Sequence, residues 1–105
     1  MDKIPVNIIE IINRFLQKLE KSDIYVKVAI LFGSYANGTY NEWSDIDLAL
    51  VSDSFCGIRF YDWDKLRDAK LSVSYDLSPL PYRSEDFTPD NLFVKEILKT
   101  GIRII

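Results

Sequence analysis

A chain of 105 residues with 48% hydrophobic, 13% aromatic and 28% charged side chains has the makings of one packed core and one domain spanning 1–105, and excludes wholesale disorder. Its net charge of −3 at pH 7 and pI near 4.8 exclude a broad phosphate-neutralising surface, so direct nucleic-acid binding is not expected. Histidine is absent and Cys56 is the single cysteine, which excludes histidine acid-base chemistry, a Cys/His zinc site and an internal disulfide, and fits a reducing cytoplasm.

The first expected element is an amphipathic helix. Pro5 suits a first turn, and Ile8, Ile11, Ile12, Phe15, Leu16 and Leu19 recur at helical spacing opposite Glu10, Arg14, Gln17 and Lys18, with an end near Ser22. Asn7, Glu10, Asn13 and Arg14 break any apolar run, so neither an export signal nor a membrane contact is expected. Tyr25 to Phe32, YVKVAILF, is β-branched, aromatic and nearly continuously apolar up to Gly33, and predicts an interior strand. After a loop holding Gly38 and Asn41, SDIDLALVS alternates Ile46, Leu48 and Leu50 with Asp45, Asp47 and Ala49, a second strand.

Phe60 to Ala69 is charged, with apolar positions at Trp63 and Leu66, and reads as a short helix or turn. LSVSYDLS then alternates strictly and predicts a third strand over 71–78, with Ser72, Ser74, Asp76 and Ser78 on its polar face and Pro79 and Pro81 ending it. Pro89 opens a last helix through Leu92, Phe93, Ile97 and Leu98, Gly101 caps it, and the tail IRII is available as a final edge strand.

In a strand, residues i and i+2 share a face, which sets the Cβ atoms of Asp45 and Asp47 roughly 6 to 7 Å apart. Carboxylates that close repel unless a divalent ion lies between them. Oxygen ligands without nitrogen or sulfur partners select magnesium, with manganese as a substitute, and magnesium characteristically shares its shell with substrate phosphates. Upstream, Gly33 and Ser34 follow the first strand, where a tight turn would aim amides and the Ser34 hydroxyl at an anion. A lone Asp-x-Asp is more often a solvated strand end, and Gly-Ser pairs are common. Here, however, Asp45, Asp47 and Asp76 all occupy polar positions in otherwise apolar strands, where charge is unwelcome without a purpose. GSYANGTY contains no lysine and no Gly-Lys-Ser/Thr ending, which disfavours a Walker-type kinase.

The segment GSYANGTYNEWSDIDLAL, Gly33 to Leu50, carries Gly-Ser, ten residues and Asp-x-Asp. In this it resembles the polymerase-beta-like nucleotidyltransferases, and in length and strand flow the minimal nucleotidyltransferase branch, the MntA-like antitoxins encoded beside HEPN-domain toxins. The resemblance implies an α/β (α+β) fold with a small mixed sheet backed by helices. It implies Gly33 and Ser34 at the triphosphate, and Asp45, Asp47 and Asp76 as catalytic residues and ligands of two magnesium ions. It further implies an antitoxin that transfers AMP from ATP to a hydroxyl, a tyrosine's, of a cognate HEPN RNase toxin in the cytoplasm, as a homodimer or a hetero-oligomer with that toxin. Many members carry a basic residue in the turn where this chain has Asn37, a lost charge that weakens the hold on the triphosphate. Two alternatives stand beside it: a non-catalytic antitoxin that blocks the toxin by contact, and a small-molecule nucleotidyltransferase of the antibiotic-modifying type, which would need its own acceptor pocket. Among the aromatic residues, Tyr35, Tyr40, Trp43, Tyr61, Trp63 and Tyr82 are available for base stacking, a partner surface or the core, with Trp43 nearest the acidic pair in sequence.

Overall fold

Apolar side chains at helical spacing open the fold: Ile8, Ile12, Phe15 and Leu19 form the buried stripe of helix α1, Val6–Lys21. The computed structural model describes residues 4–105. After α1 come strand β1, Val28–Phe32, the single-turn helix α2, Ser34–Asn37, and strand β2, Ile46–Val51. Helix α3, Arg59–Val73, then leads to strand β3, Leu77–Tyr82, a tight helical turn at Ser84–Asp86, helix α4, Leu92–Thr100, and the short strand β4, Ile102–Arg103.

The strands make one four-stranded sheet in the order β3-β2-β1-β4. β1 runs antiparallel to β2 and β4, and β2 runs parallel to β3, so the sheet is mixed and helix-backed, as expected. One face, carrying Leu31, Leu48, Leu50 and Leu77, packs with Ile12 and Phe15 of α1 and Leu66 of α3. The other, carrying Ile30, Ala49, Val51 and Tyr82, packs with Val94 and Ile97 of α4. Leu31, Leu48 and Leu50 are wholly enclosed, each contributing roughly 2 kcal/mol of burial.

The structure corrects the expected third strand. Residues 71–73 are the last turn of α3, residues 74–76 turn the chain, and β3 holds the two prolines that were expected to end the strand. The carbonyls of Asp76 and Tyr82 accept the amides of Ile46 and Ser52, at 2.8 and 3.0 Å. Ladder parity therefore turns residues 77, 79 and 81 outward at the free edge, where a missing amide leaves nothing unpaired. The helix was obscured because its buried positions are Asp62, Leu66 and Ala69. With a charged residue at the first of them and exposed aromatics at Phe60, Tyr61 and Trp63, the apolar stripe is scrambled while the spacing of four then three is kept.

Smaller differences have local causes. Lys27 already pairs with Val51 through its amide at 2.7 Å, but Tyr25 turns aside, its carbonyl accepting the Ser52 hydroxyl at 2.7 Å. Asn91, not Pro89, caps α4, its Oδ1 accepting the amides of Phe93 and Val94 at 2.9 and 3.3 Å. Gly101 does end α4, with φ −76° rather than left-handed geometry. A Cβ there would collide with Ile30 and the Ile97 carbonyl. The tail does add an edge strand, with Leu31 facing Ile102.

Candidate nucleotide site

Gly33 leaves β1 at φ 76° and ψ −147°, a conformation open to glycine and costly for other residues. A Cβ at this position would overlap Asp47 Oδ2, so the turn and the Asp47 carboxylate fit together only because the side chain is missing. The Gly33 carbonyl accepts the amides of Ala36 and Asn37 at 3.1 and 3.0 Å, which winds α2. The amides of Ser34 and Tyr35, at the start of that turn, have no acceptor among the described residues.

Asp45 lies one residue before β2 and Asp47 is the strand's second residue. Ile46 pairs with Leu77 and Asp47 with Ser78, so one step back along both strands Asp45 stands opposite Asp76. Alternation then puts Asp45, Asp47, Asp76 and Ser78 on the sheet face that Ala49, Val51 and Tyr82 continue beneath α4. Asp45 and Asp76 are exposed and Asp47 is half-buried. Among the described residues no side chain or amide donates to any of these three carboxylates, and none forms an ion pair.

The electrostatic consequence is visible at Asp47. Burial, and after it the charge of Asp45, push its carboxyl above the usual value of 3.8. Tyr35 is buried and stacks on Tyr40 with ring centroids 4.7 Å apart. Burial raises its pKa above 10.0, and the charge of Asp76 and the neighbouring Tyr40 add to the shift. Sequence reasoning gave Tyr35 no role beside the acids; its proximity to Asp76 depends on a turn and a strand far apart in the chain.

As the side chains lie, no three Asp, Glu or Cys residues among those described converge closely enough to hold an ion. The donors nevertheless fit a hard divalent cation: oxygen ligands only, on one face, with the Gly33 turn against Asp47. Bringing exposed Asp45 and Asp76 inward needs rotamer changes, which occur in picoseconds to nanoseconds.

Trp43 stands two residues before Asp45, on a turn held by hydrogen bonds. Its amide donates to Asn41 Oδ1 at 2.8 Å, the Asn41 amide donates to Ser44 Oγ at 2.9 Å, and the indole is 81% exposed. Tyr61 is exposed on α3 and Tyr82 is buried against Phe87. Cys56 is an exposed loop thiol.

Sequence reasoning missed a groove of about 460 Å³ between α3 and β3, reaching from Asp45 past Trp63, Arg67, Lys70, Tyr75 and Pro79. It exists because α3 continues to Val73; a strand over 71–78 leaves no place for it.

A mixed sheet that presents a Gly-Ser turn beside an Asp-x-Asp strand end is the framework of the polymerase-beta-like nucleotidyltransferase fold. Residues 9–104 match the family model described as nucleotidyltransferase domain. The chain belongs to this family and is a nucleotidyltransferase, an enzyme with a nucleotide substrate; the family generally works with divalent metal ions. It is similar to two proteins of Methanocaldococcus jannaschii that are named as candidate protein adenylyltransferases. To MJ1305 it is 34% identical over 103 residues, covering 90% of this chain and 69% of the relative. To MJ0141 it is 30% identical over 103 residues, covering 94% of this chain and 100% of the relative. Among the described residues no helix is long and apolar enough to cross a membrane.

Proposed function

We propose that this chain, acting as one domain over 1–105, is a protein adenylyltransferase that moves AMP from ATP onto a hydroxyl of a partner protein. In the fuller form that the resemblance to minimal nucleotidyltransferases supports, the acceptor is a tyrosine of a cognate HEPN RNase toxin, and the chain is the cytoplasmic antitoxin bound to it. The observation that carries the proposal is the group of unpartnered carboxylates at one end of one sheet face, with Asp47 against the Gly33 turn. The names of the two archaeal relatives support a protein acceptor.

Asp45 and Asp47 would hold one magnesium ion and share a second with Asp76. Ions bound there, with manganese as a substitute, supply positive charge for the triphosphate and acidify the attacking hydroxyl. The free amides of Ser34 and Tyr35 and the Ser34 hydroxyl receive the β- and γ-phosphates. The acceptor oxygen bonds to the α-phosphorus and its proton passes to Asp76. The bond from that phosphorus to the β-bridging oxygen breaks, its electron pair leaves on pyrophosphate, and AMP stays on the acceptor.

The direct test incubates the protein with its toxin, magnesium and ATP labelled at the α-phosphate. Label is expected on the toxin and is expected to vanish with Asp45→Asn, Asp47→Asn or Asp76→Asn while the circular dichroism spectrum is unchanged. Undiminished labelling in all three variants would overturn the proposal. A toxin-blocking module without turnover is the second reading, favoured by Asn37 at the exposed end of α2 where a cation would otherwise face the phosphates. Toxin inhibition by Asp47→Asn decides between them: a pure binder still inhibits, and a modifying enzyme does not.

A further inference from the structure

The free edge of the sheet beyond Asp45 has its own chemistry. We propose that the groove between α3 and β3 is the acceptor subsite, and that its occupant is an acidic segment of a polypeptide bearing the hydroxyl to be modified. This rests on the nucleotide-transfer activity proposed above.

Position is the first argument. In the order β3-β2-β1-β4, the Gly33 turn after β1 and the groove at β3 lie on opposite sides of the carboxylates at the start of β2. An in-line displacement needs the attacking oxygen opposite the leaving pyrophosphate. With the distal phosphates at Gly33 and Ser34, the attacker approaches from the β3 side; the groove starts on the α3 side of that edge, at Leu66 and Leu77, and reaches Asp45 and Ser78 of the carboxylate face.

Charge is the second. Arg67 and Lys70 line the groove and Asp45 is the acidic residue among its lining, in a chain whose net charge is −3. Arg67 Nη1 meets Asp64 at 2.7 Å, with the two side chains 56% and 59% exposed. Such a surface pair holds weakly, so a partner's carboxylate can take the guanidinium at small loss. Lys70 Nζ donates to the Tyr75 carbonyl at 3.4 Å and retains other protons. Both cations therefore remain able to meet an incoming acid.

The walls give the third. The Trp63 indole N–H donates to the Pro79 carbonyl at 3.2 Å, which fixes the ring over the edge strand. Tyr75 is 80% exposed beside Asp76. A fixed indole and an exposed phenol next to cations are the composition of protein-recognition surfaces. Pro79 and Pro81 deny the edge the amides that strand addition would use, so the segment docks through its side chains.

The test uses the two tryptophans as reporters. In ¹⁵N-labelled protein, Trp43→Phe assigns the indole N–H resonance of Trp63. A copolymer of glutamate and tyrosine should shift that resonance saturably, and a copolymer of lysine and tyrosine should not. Arg67→Glu with Lys70→Gln should weaken the acidic copolymer at least tenfold, with ATP affinity by calorimetry unchanged and the dispersed spectrum showing a folded protein. An unmoved Trp63 signal, an equal response to both copolymers, or a charge variant that binds as before would each overturn the proposal. Asp47→Asn separates the two ideas: it should keep the Trp63 shift and lose transfer. A shift without any AMP transfer by the unaltered protein would leave the groove standing and remove the activity assigned above.

Discussion

At the end of the sheet where β2 finishes, Asp53 accepts the Ser84 hydroxyl at 2.9 Å and the Lys27 ammonium at 3.1 Å, while Arg83 holds Asp86 at 2.7 and 3.0 Å. In the first turn of α3, Asp62 is 1% exposed and accepts the amides of Cys56 and Gly57 from the loop before it, each at 2.9 Å. At the end where β2 begins, Asp45, Asp47 and Asp76 accept nothing among the described residues. The pKa shifts follow this division. Hydrogen bonds from Ser84 and Lys27 lower Asp53 below 3.8, and the bond from Arg83 lowers Asp86, whereas burial and Asp45 raise Asp47. One set of carboxylates holds loops in place. The other keeps its oxygens free, at a cost to the folded state at Asp47 that a bound cation would remove.

Substitution at Asp47 breaks this comparison most sharply, because its two expected effects have opposite signs. Asp47→Asn should lower AMP transfer roughly a thousandfold while raising the Tm of the metal-free protein by about 2 °C. Calorimetry that showed a lower Tm would mean that the carboxylate is structural after all. At the other end the expectation is reversed. Asp62→Ala strips the loop amides of Cys56 and Gly57 of their buried acceptor and should cost about 3 kcal/mol in urea unfolding.

Gly33 joins both themes. Gly33→Ala imposes a Cβ at positive φ against Asp47 Oδ2, and should cost about 2 kcal/mol while moving the carboxylate and depressing transfer. A variant of native stability and activity would show that the turn relaxes more freely than its geometry suggests.

The pH dependence sharpens the comparison further. A carboxyl whose folded pKa is raised contributes its stability in acid, and that contribution is lost as pH climbs from 3.8 through the raised value. Asp53 and Asp86, being lowered, contribute above 3.8 and lose it as pH falls through their folded values. Carboxyl NMR should therefore find Asp47 titrating above both. Asp45→Asn should bring it partway down, since burial is the larger cause, and magnesium should bring it down further; no movement with magnesium would deny the ion a place there. The smallest effect belongs to Asn37→Lys, which puts a cation near the Gly33-Ser34 turn proposed to receive the phosphates. Tightening of ATP by roughly threefold, fading as salt is added, is expected at such an exposed position.

Much of the candidate site's geometry was legible because strand geometry is local. Asp45 and Asp47 two residues apart in an apolar run had to share a face, and Gly33 before Ser34 had to permit a sharp turn. Asp76 was identified as an acid on a polar face, but inside a strand that does not exist; its standing beside Asp45 comes from the turn before β3. The parallel register that pairs Ile46 with Leu77 depends on how α3 crosses the sheet. The groove was illegible for the same reason, since Arg67 and Lys70 meet β3 only after α3 has run its full length.

The sequence by itself determined α1, the two central strands and the acidic pair, because each is written in a periodicity of 2 or 3.6 that neighbouring residues impose on one another. Tertiary structure decided where α3 ends and that Pro79 and Pro81 lie within a strand. A helix whose buried stripe begins with Asp62 needs the loop amides of Cys56 and Gly57 to make that burial tolerable, and prolines are harmless in a strand only when the ladder turns them toward an open edge.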